Sequence, residues 1–544
     1  MAVSGKQPFA PSFFTPNESV LKAGALLSIP ALISQGLNGF FMTYHPLPPG
    51  FYGHHHIVLL SCFMALCRIK NPEQLKKHSP GELGKLLGLD RIPEVGYFRK
   101  KLKQLINQNR SDKLHKSLLK DWITEMPQMF YYIDGHVRVY HGHKANLPKR
   151  FVSRERLCLN GTTEFWINDQ WGQPLMVITG ELNEKLKDAI ELAIEKLLVE
   201  LPSPVTQKAN SPVFTLVFDR ESYEPAWFKK LWEKYKVAII TYRKYVKDKW
   251  DESMFEKTQI QLFNTNVTMQ LCEMGVDLSG LWFREIRKLS DSGHQTSILT
   301  THPDLLSDQI ATKMFFRWTQ ENFFKYMNEN FDFDKMIEYG TEQIDQKRII
   351  PNPTYRKLSN KLKKAKEKKA RLEAKAYKKI EENPDKTIDQ VKENIVKTSK
   401  LIEQINDYDE QIAQLLNERD PVPSRISLGE MPKEERYNKL KQESKKYKNA
   451  ILMLAYRAES TLYNTLSDFY KYTQKEGRIL LKEIFLSDAD MIPDYKNKTL
   501  TIILHSLSTP RANEAAKKLC EFLNATETIY PYSDLRLVYK TIAF

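Results

Sequence analysis

Cysteine is scarce: five residues in 544, Cys62, Cys67, Cys158, Cys272 and Cys520, with no Cys-x-x-Cys pair. That scarcity excludes a disulfide framework and a zinc finger, and fits a reducing cytoplasm. Long hydrophobic runs are lacking too. The most apolar stretches, residues 23–33 and 57–67, reach about half of the ~20 residues needed to cross a bilayer. Both are expected to be core helices of a soluble protein with no membrane partner. The opening MAVSGKQPFAPSFF has no charged leader followed by an apolar run, so a signal peptide is not expected. A glycine-rich phosphate loop, a His-Glu-x-x-His motif and a nucleophile elbow are all absent, which excludes the chemistries they carry.

What the chain has is bulk and positive charge. Hydrophobic residues at 41% and aromatics at 11% can bury large cores, so wholesale disorder is ruled out. The length suggests roughly three or four domains. Lys+Arg number 82 against 67 Asp+Glu, a net charge of +15, which favours an acidic partner, most simply nucleic acid. The excess is concentrated. Residues 1–125 hold 16 basic and 8 acidic residues, and residues 361–380 hold ten and two.

Residues 1–125 look helical and suit a DNA-binding region. Residues 79–89 suggest a short helix closed by glycine, Asp90-Arg91-Ile92-Pro93 a turn, and residues 94–107 a helix bearing Arg99, Lys100, Lys101 and Lys103. Segment 79–107 is thus a helix-turn-helix pattern offering those four side chains to DNA. An ordinary helical hairpin with a solvated basic face leaves the same trace. His54-His55-His56 is expected to be a surface run before a helix.

From 126 to 350 strands alternate with helices in the order β-β-β-α-β-α-β, that of a ribonuclease-H-like sheet. The expected fold class is α/β: a ribonuclease-H-like mixed sheet with helices and a β-rich insertion at about residues 251–305, flanked by helical regions. Helix resumes at about residues 307–328. Residues 351–420 predict a basic helical hairpin or short coiled coil, with Ile388, Val391, Ile395, Thr398, Ile402, Ile405, Ile412 and Leu416 following 3/4 spacing. A solubilised arm, a DNA-backbone contact and a dimer contact all fit it. Residues 421–544 open with Pro421, Pro423 and Pro432 as a linker and continue as a helical and small α/β region.

Acidic residues at strand ends carry the chemistry. Asp134 interrupts the apolar strand Phe130-Tyr131-Tyr132-Ile133, where a carboxylate costs several kcal/mol unless it is paired or binds a metal. Asp219 ends the apolar strand Thr215-Leu216-Val217-Phe218, at the end where sheet-based active sites tend to lie. Taken singly, each Asp could equally be a turn or cap residue. Arg317 and Glu321 lie four apart on one helical face, with Lys325 a turn further, which by itself could be a salt-bridge ladder. His136, His141 and His143 near Asp134 are read as surface or supporting residues rather than a metal site. Glu285 is the rival third carboxylate. Trp282 and Trp318 could stack on an unpaired base or pack in a core.

At these residues the sequence resembles the bacterial DDE transposases of the cut-and-paste kind, which carry a β insertion before the last catalytic residue. The resemblance spans roughly residues 126–350 and rests on Asp134, Asp219 and the Arg-x-x-x-Glu helix of Arg317 and Glu321. The family's extended pattern has a Tyr three residues before that Arg and a Lys seven after that Glu; here they are Met314 and Asn328. The resemblance implies DNA cleavage at transposon ends and strand transfer into target DNA. It implies two Mg²⁺ or Mn²⁺ ions, with Asp134 bridging both, Asp219 and Glu321 holding one each, and Arg317 orienting Glu321 or gripping a phosphate. It further implies double-stranded DNA as partner, a homodimer on that DNA, and a cytoplasmic location on the nucleoid. A non-catalytic DNA-binding descendant, or a nuclease that cuts without rejoining, would keep the same residues.

Overall fold

A computed structural model describes residues 7–542 apart from 126–128, 143–144, 153–154, 182–184, 202–210, 263–264, 279, 334–339, 382–387 and 470–473. The fold is mixed α/β, as the alternating periodicities predict. It divides into two units, one of residues 1–142, 148–339 and 441–544, the other of 143–147 and 340–440.

The first unit begins with helices. Helix α1 (His54–Leu66) is apolar and buried almost all round, as a helix without a polar face must be. The other apolar stretch is a buried 3-10 turn, Ala23–Ser28, followed by a short helix, Ile29–Ser34. Among the described residues no single helix is long and apolar enough to cross a membrane. Helix α2 (Pro80–Lys85) starts on Ser79, whose hydroxyl accepts from the Glu82 N–H, and α3 (Val95–Ile106) follows. Arg99, Lys100 and Lys103 face solvent, Arg99 pairing with Glu73 at 2.7 Å. Lys101 does not join them. It stands three residues after Phe98 and four before Leu105, on the buried stripe of α3, and its Nζ donates to the Pro48 carbonyl at 3.4 Å. The expected DNA-facing set therefore loses Lys101. Helix α4 (Ser111–Glu125) completes the group.

The three histidines are a second correction. His54, His55 and His56 form the first turn of α1 and all are buried. Rings from distant parts of the chain enclose them: Tyr532 stacks on His55 at 4.0 Å and Phe9 meets it edge-on at 4.6 Å. Neither ring nitrogen of His55 has a partner among the described residues. Burial, reinforced by the neighbouring histidines, pushes His55 down to about 2 and His56 to about 4. Unfolded histidines take up protons below about pH 6.5, whereas these stay neutral in the fold. Their contribution to stability is whole above that pH and drains as the pH falls towards 4. Each should cost about 2 kcal/mol between about pH 6.5 and 5. Thermal denaturation near pH 7.5 and near pH 5 should show a larger acid loss in the wild type than in His55→Phe. Equal losses would rule the cluster out as the cause.

Next comes the main sheet. Its strands are β1 (Phe130–Val139), β2 (Leu157–Asn168), β3 (Pro174–Glu181), β4 (Phe214–Phe218), β5 (Val237–Tyr242), β6 (Glu256–Leu262), β7 (Thr265–Asp277), β8 (Trp282–Leu289) and β9 (Gln295–Thr300). Among the described residues they are ordered β3-β2-β1-β4-β5-β9-β8-β7-β6. Strands β1, β4 and β5 are parallel; the other pairings are antiparallel. Strand β4 is buried throughout and β5 nearly so, which explains their unbroken apolar sequences. Helices α5 (Leu186–Glu200) and α6 (Pro225–Tyr235) join the core that holds Tyr131, Ile133, Leu216 and Ile239. Tyr132, Val217 and Ile240, the alternate strand residues, pack with Ile310 and Met314 of helix α7 (Ser307–Phe316). The β-rich segment 251–305 is a meander whose last strand pairs with β5, so it lengthens the sheet. The helix expected over 307–328 is two, α7 and α8 (Trp318–Phe331), meeting at Arg317.

The second unit is a long hairpin. Two short ladders, Thr341–Gln343 with Asn438–Leu440 and Ile349–Pro351 with Arg425–Ser427, lead to helices α9 (Pro353–Glu381) and α10 (Ile388–Arg419). Leu358, Leu362, Ala365, Tyr408, Ile412 and Leu415 form their seam.

The chain then returns to the first unit with α11 (Glu443–Ser467), buried along most of its length, and α12 (Gln474–Leu486). Strands β10 (Ala489–Asp494) and β11 (Thr499–Leu504), helix α13 (Pro510–Asn524) and strand β12 (Arg536–Thr541) close it, with β11 and β12 parallel. A strand from the start of the chain, Asn17–Val20, adds to β10. Polar residues of α11 reach two buried carboxylates, Lys445 and Asn449 binding Glu164 and Arg457 binding Asp169, while the helix's own buried Glu459 receives Arg68 and Arg478. Burial would push Glu164 up, but Arg138, Lys445 and Asn449 outweigh it and hold the carboxyl at about 2.

Candidate active site

The register of two parallel strands builds the site. Ile133 of β1 lies beside Phe218 of β4, so the residues that follow, Asp134 and Asp219, emerge about one strand spacing (~4.8 Å) apart. Phe218 in turn lies beside Thr241 of β5, which puts Tyr242 next to Asp219. Asp134 accepts from the Gly135 N–H at 2.8 Å. Asp219 caps the turn Arg220–Ser222, accepting from the Arg220 N–H at 2.7 Å.

The third carboxylate arrives on α8. Arg317, at the junction of α7 and α8, reaches Asp134 at 3.3 Å with Nη1 and Glu321 at 3.1 Å with Nη2. The salt-bridge ladder that the spacing allows is present, and it extends across to the strand. Gln320, buried beside Glu321, seats the first turn of α8 by donating to the Trp166 carbonyl at 2.8 Å. Burial pushes the Asp134 carboxyl up to about 6; Arg317 and the Gly135 N–H oppose this, while Asp219 and Glu321 add to it. Burial also raises the Tyr242 hydroxyl, Arg317 opposing and the same two carboxylates adding. Asp134, Asp219, Arg317, Glu321 and Tyr242 are therefore one electrostatic cluster. Tyr242 and Gln320 were not visible as site residues in the sequence, although the apolar run of β5 ending at Tyr242 could have marked it.

The other candidates disperse. Trp318 is 58% exposed and Lys325 is exposed, on the helix that carries Glu321. Glu285 is fully buried on β8 and held by Arg243, Arg287 and Ser297, so it is committed to ion pairs of its own. His136 is buried against Phe324 and Phe333, His141 is exposed, and His143 lies outside the described residues. Trp282 is 72% exposed and rests on Gly275, where a Cβ would meet its ring at 1.7 Å. Met314 is buried under the sheet and Asn328 is half-buried.

A family model described as a transposase protein matches residues 1–543. The chain belongs to this transposase family. The match takes in the hairpin and the C-terminal βαβ elements as well as the sheet, so the transposase is one family across its length. Among curated proteins, no match is found. Transposases process DNA, and the carboxylate cluster is the place in this transposase where chemistry on a phosphodiester can be sought. Its donors are hard oxygens, the type Mg²⁺ and Mn²⁺ take. Three carboxylates surround one guanidinium, and burial, with Asp219 and Glu321 adding to it, raises Asp134. The donor set fits divalent ions in kind. Among the described residues, however, no three such side chains are gathered closely enough to hold one.

Proposed function

We propose that this transposase is of the DDE, cut-and-paste type, with Asp134, Asp219 and Glu321 as its catalytic carboxylates on a ribonuclease-H-like core. The observation that carries the reading is the side-by-side emergence of Asp134 and Asp219 from parallel β1 and β4, with Arg317 tying Glu321 to Asp134. The order β3-β2-β1-β4-β5, parallel only in its last three strands, supports the core assignment. The three carboxylates would hold two Mg²⁺ or Mn²⁺ ions. Such a pair supplies activation of water or a DNA 3′-hydroxyl and charge stabilisation for the leaving oxygen. Arg317 keeps Glu321 and Asp134 together before DNA arrives, and its planar fork suits a bidentate grip on a phosphate. Gln320 fixes the turn from which Glu321 projects. Exposed Lys325 and Trp318 offer a cation and an aromatic face to DNA alongside. Pairing two transposon ends requires at least two copies of the chain, so a homodimer on DNA follows from the reading.

Full-length protein should cut and rejoin duplexes ending in the element's own terminal sequence when Mg²⁺ or Mn²⁺ is supplied. Asp219→Ala should lose cleavage by on the order of 10³-fold while binding the same duplex equally well without divalent ions. Undiminished cutting by that variant refutes the catalytic assignment. Tight binding with no cutting by the wild type would favour a non-catalytic DNA-binding role, and cutting without joined products a nuclease.

A further inference from the structure

Helix α9 holds 12 basic residues against three acidic ones, whereas its partner α10 holds seven acidic and four basic. The basic residues of α9 are not spread evenly. Lys357, Lys361, Lys364, Lys368, Arg371 and Lys375 recur at steps of four and three, all exposed. At 1.5 Å per residue they form one row about 27 Å long, close to a turn of B-form DNA at ~34 Å. The row runs beside the apolar seam that joins α9 to α10, so the hairpin's own packing holds it straight and leaves it open. Among the described residues, the ion pairs of α9 are made by lysines outside the row: Lys363 with Glu367, and Lys369 with Glu373 and Asp409. Among the described residues, the acidic side chains of α10 thus leave the row uncompensated.

We propose that this row is a docking surface for the phosphate backbone of duplex DNA. It is built only of cations, with no exposed large apolar side chain among its positions. A protein partner would need an apolar centre to its interface, whereas a regular polyanion needs only matched charge. The inference rests on the chain being a transposase that acts on DNA and not on the catalytic assignment.

The test is the salt dependence of binding by the full-length protein to a labelled duplex of arbitrary sequence, in chelator, between ~50 and ~200 mM salt. Two double variants are compared, each removing two charges from α9. Lys364→Gln with Lys368→Gln lies in the row; Lys363→Gln with Lys366→Gln lies off it. Each phosphate contact contributes about 0.9 to the slope of log K against log salt, so the first pair should flatten the slope by about 2 and the second leave it unchanged. Equal effects of the two pairs would overturn the proposal, because net charge alone would then explain binding. So would an unchanged slope accompanied by a loss of dimer mass in sedimentation, which would make the row a contact between copies. Because no divalent ion is present, none of these outcomes depends on whether the carboxylates cleave DNA.

Discussion

Asp134→Asn is expected to abolish cleavage, by on the order of 10³-fold or more, and to leave the protein as stable as before or more so. The two effects have one origin. Asp134 is half-buried beside Asp219 and Glu321, and its pairing with Arg317 does not make up for the lost water, so its carboxyl is pushed up to about 6 from 3.8. A carboxyl whose folded value is raised weighs against the fold wherever it is charged in both states, which here means above about pH 6. A shift of this size corresponds to at most about 3 kcal/mol. Asparagine keeps the shape, removes the repulsion and cannot act as a charged metal ligand. Paired measurements of cleavage and of thermal midpoint at neutral pH test both halves. Cleavage within tenfold of wild type would remove Asp134 from the chemistry. A fall in midpoint would show that its ion pair with Arg317 outweighs its burial.

Glu459→Ala should be the most destabilising single change in the molecule. The Glu459 carboxylate receives Arg68 at 2.8 Å, Arg478 at 3.1 Å and the Tyr326 hydroxyl, and neither arginine side chain is more than 8% exposed. Burial alone would raise this acid; the two guanidiniums outweigh it and lower it. Deleting the carboxylate strands two buried cations and a phenol, at a cost of about 3–5 kcal/mol. Glu459→Gln keeps an acceptor and should cost less, and Tyr326→Phe, which removes the hydrogen bond to Glu459 and the one accepted from Arg68, about 1–2 kcal/mol. Denaturant titration of the three variants should return that ranking. A cost for Glu459→Ala under about 1 kcal/mol would mean that water reaches the arginines and the network is not closed.

Local pattern made much of this architecture legible. An apolar strand interrupted or ended by Asp is visible within seven residues, which is why Asp134 and Asp219 stand out, and the four-residue step from Arg317 to Glu321 needs only helical geometry. The phase of Lys101 was legible too, since Phe98 and Leu105 bracket it at three and four residues. What local pattern does not carry is anything decided across the chain. The histidines of α1 look like a surface run because the rings that bury them, Phe9 and Tyr532, lie far away in sequence. The break at Arg317 follows from the strand that its guanidinium must reach. Helix α11 is the extreme case. Its Lys445, Asn449, Arg457 and Glu459 carry no local sign of burial, yet each is buried on a partner that the fold supplies from elsewhere.

That placement of α11 sets a timetable for the nascent chain. Asp169 leaves the ribosome 288 residues ahead of Arg457, and Glu164 leads Asn449 by 285. At ~5–20 residues per second Asp169 waits roughly 15–60 s for Arg457, whereas Glu164 already has Arg138 at 2.9 Å and waits as long only for Lys445 and Asn449. During that interval the sheet cannot close over Asp169 without stranding a charge. Any product that stops before α11 is left with Asp169 lacking the cation that Arg457 supplies, and should be cleared by proteolysis rather than persist as a competitor for transposon ends. Completing the polypeptide is thus the step that licenses the enzyme.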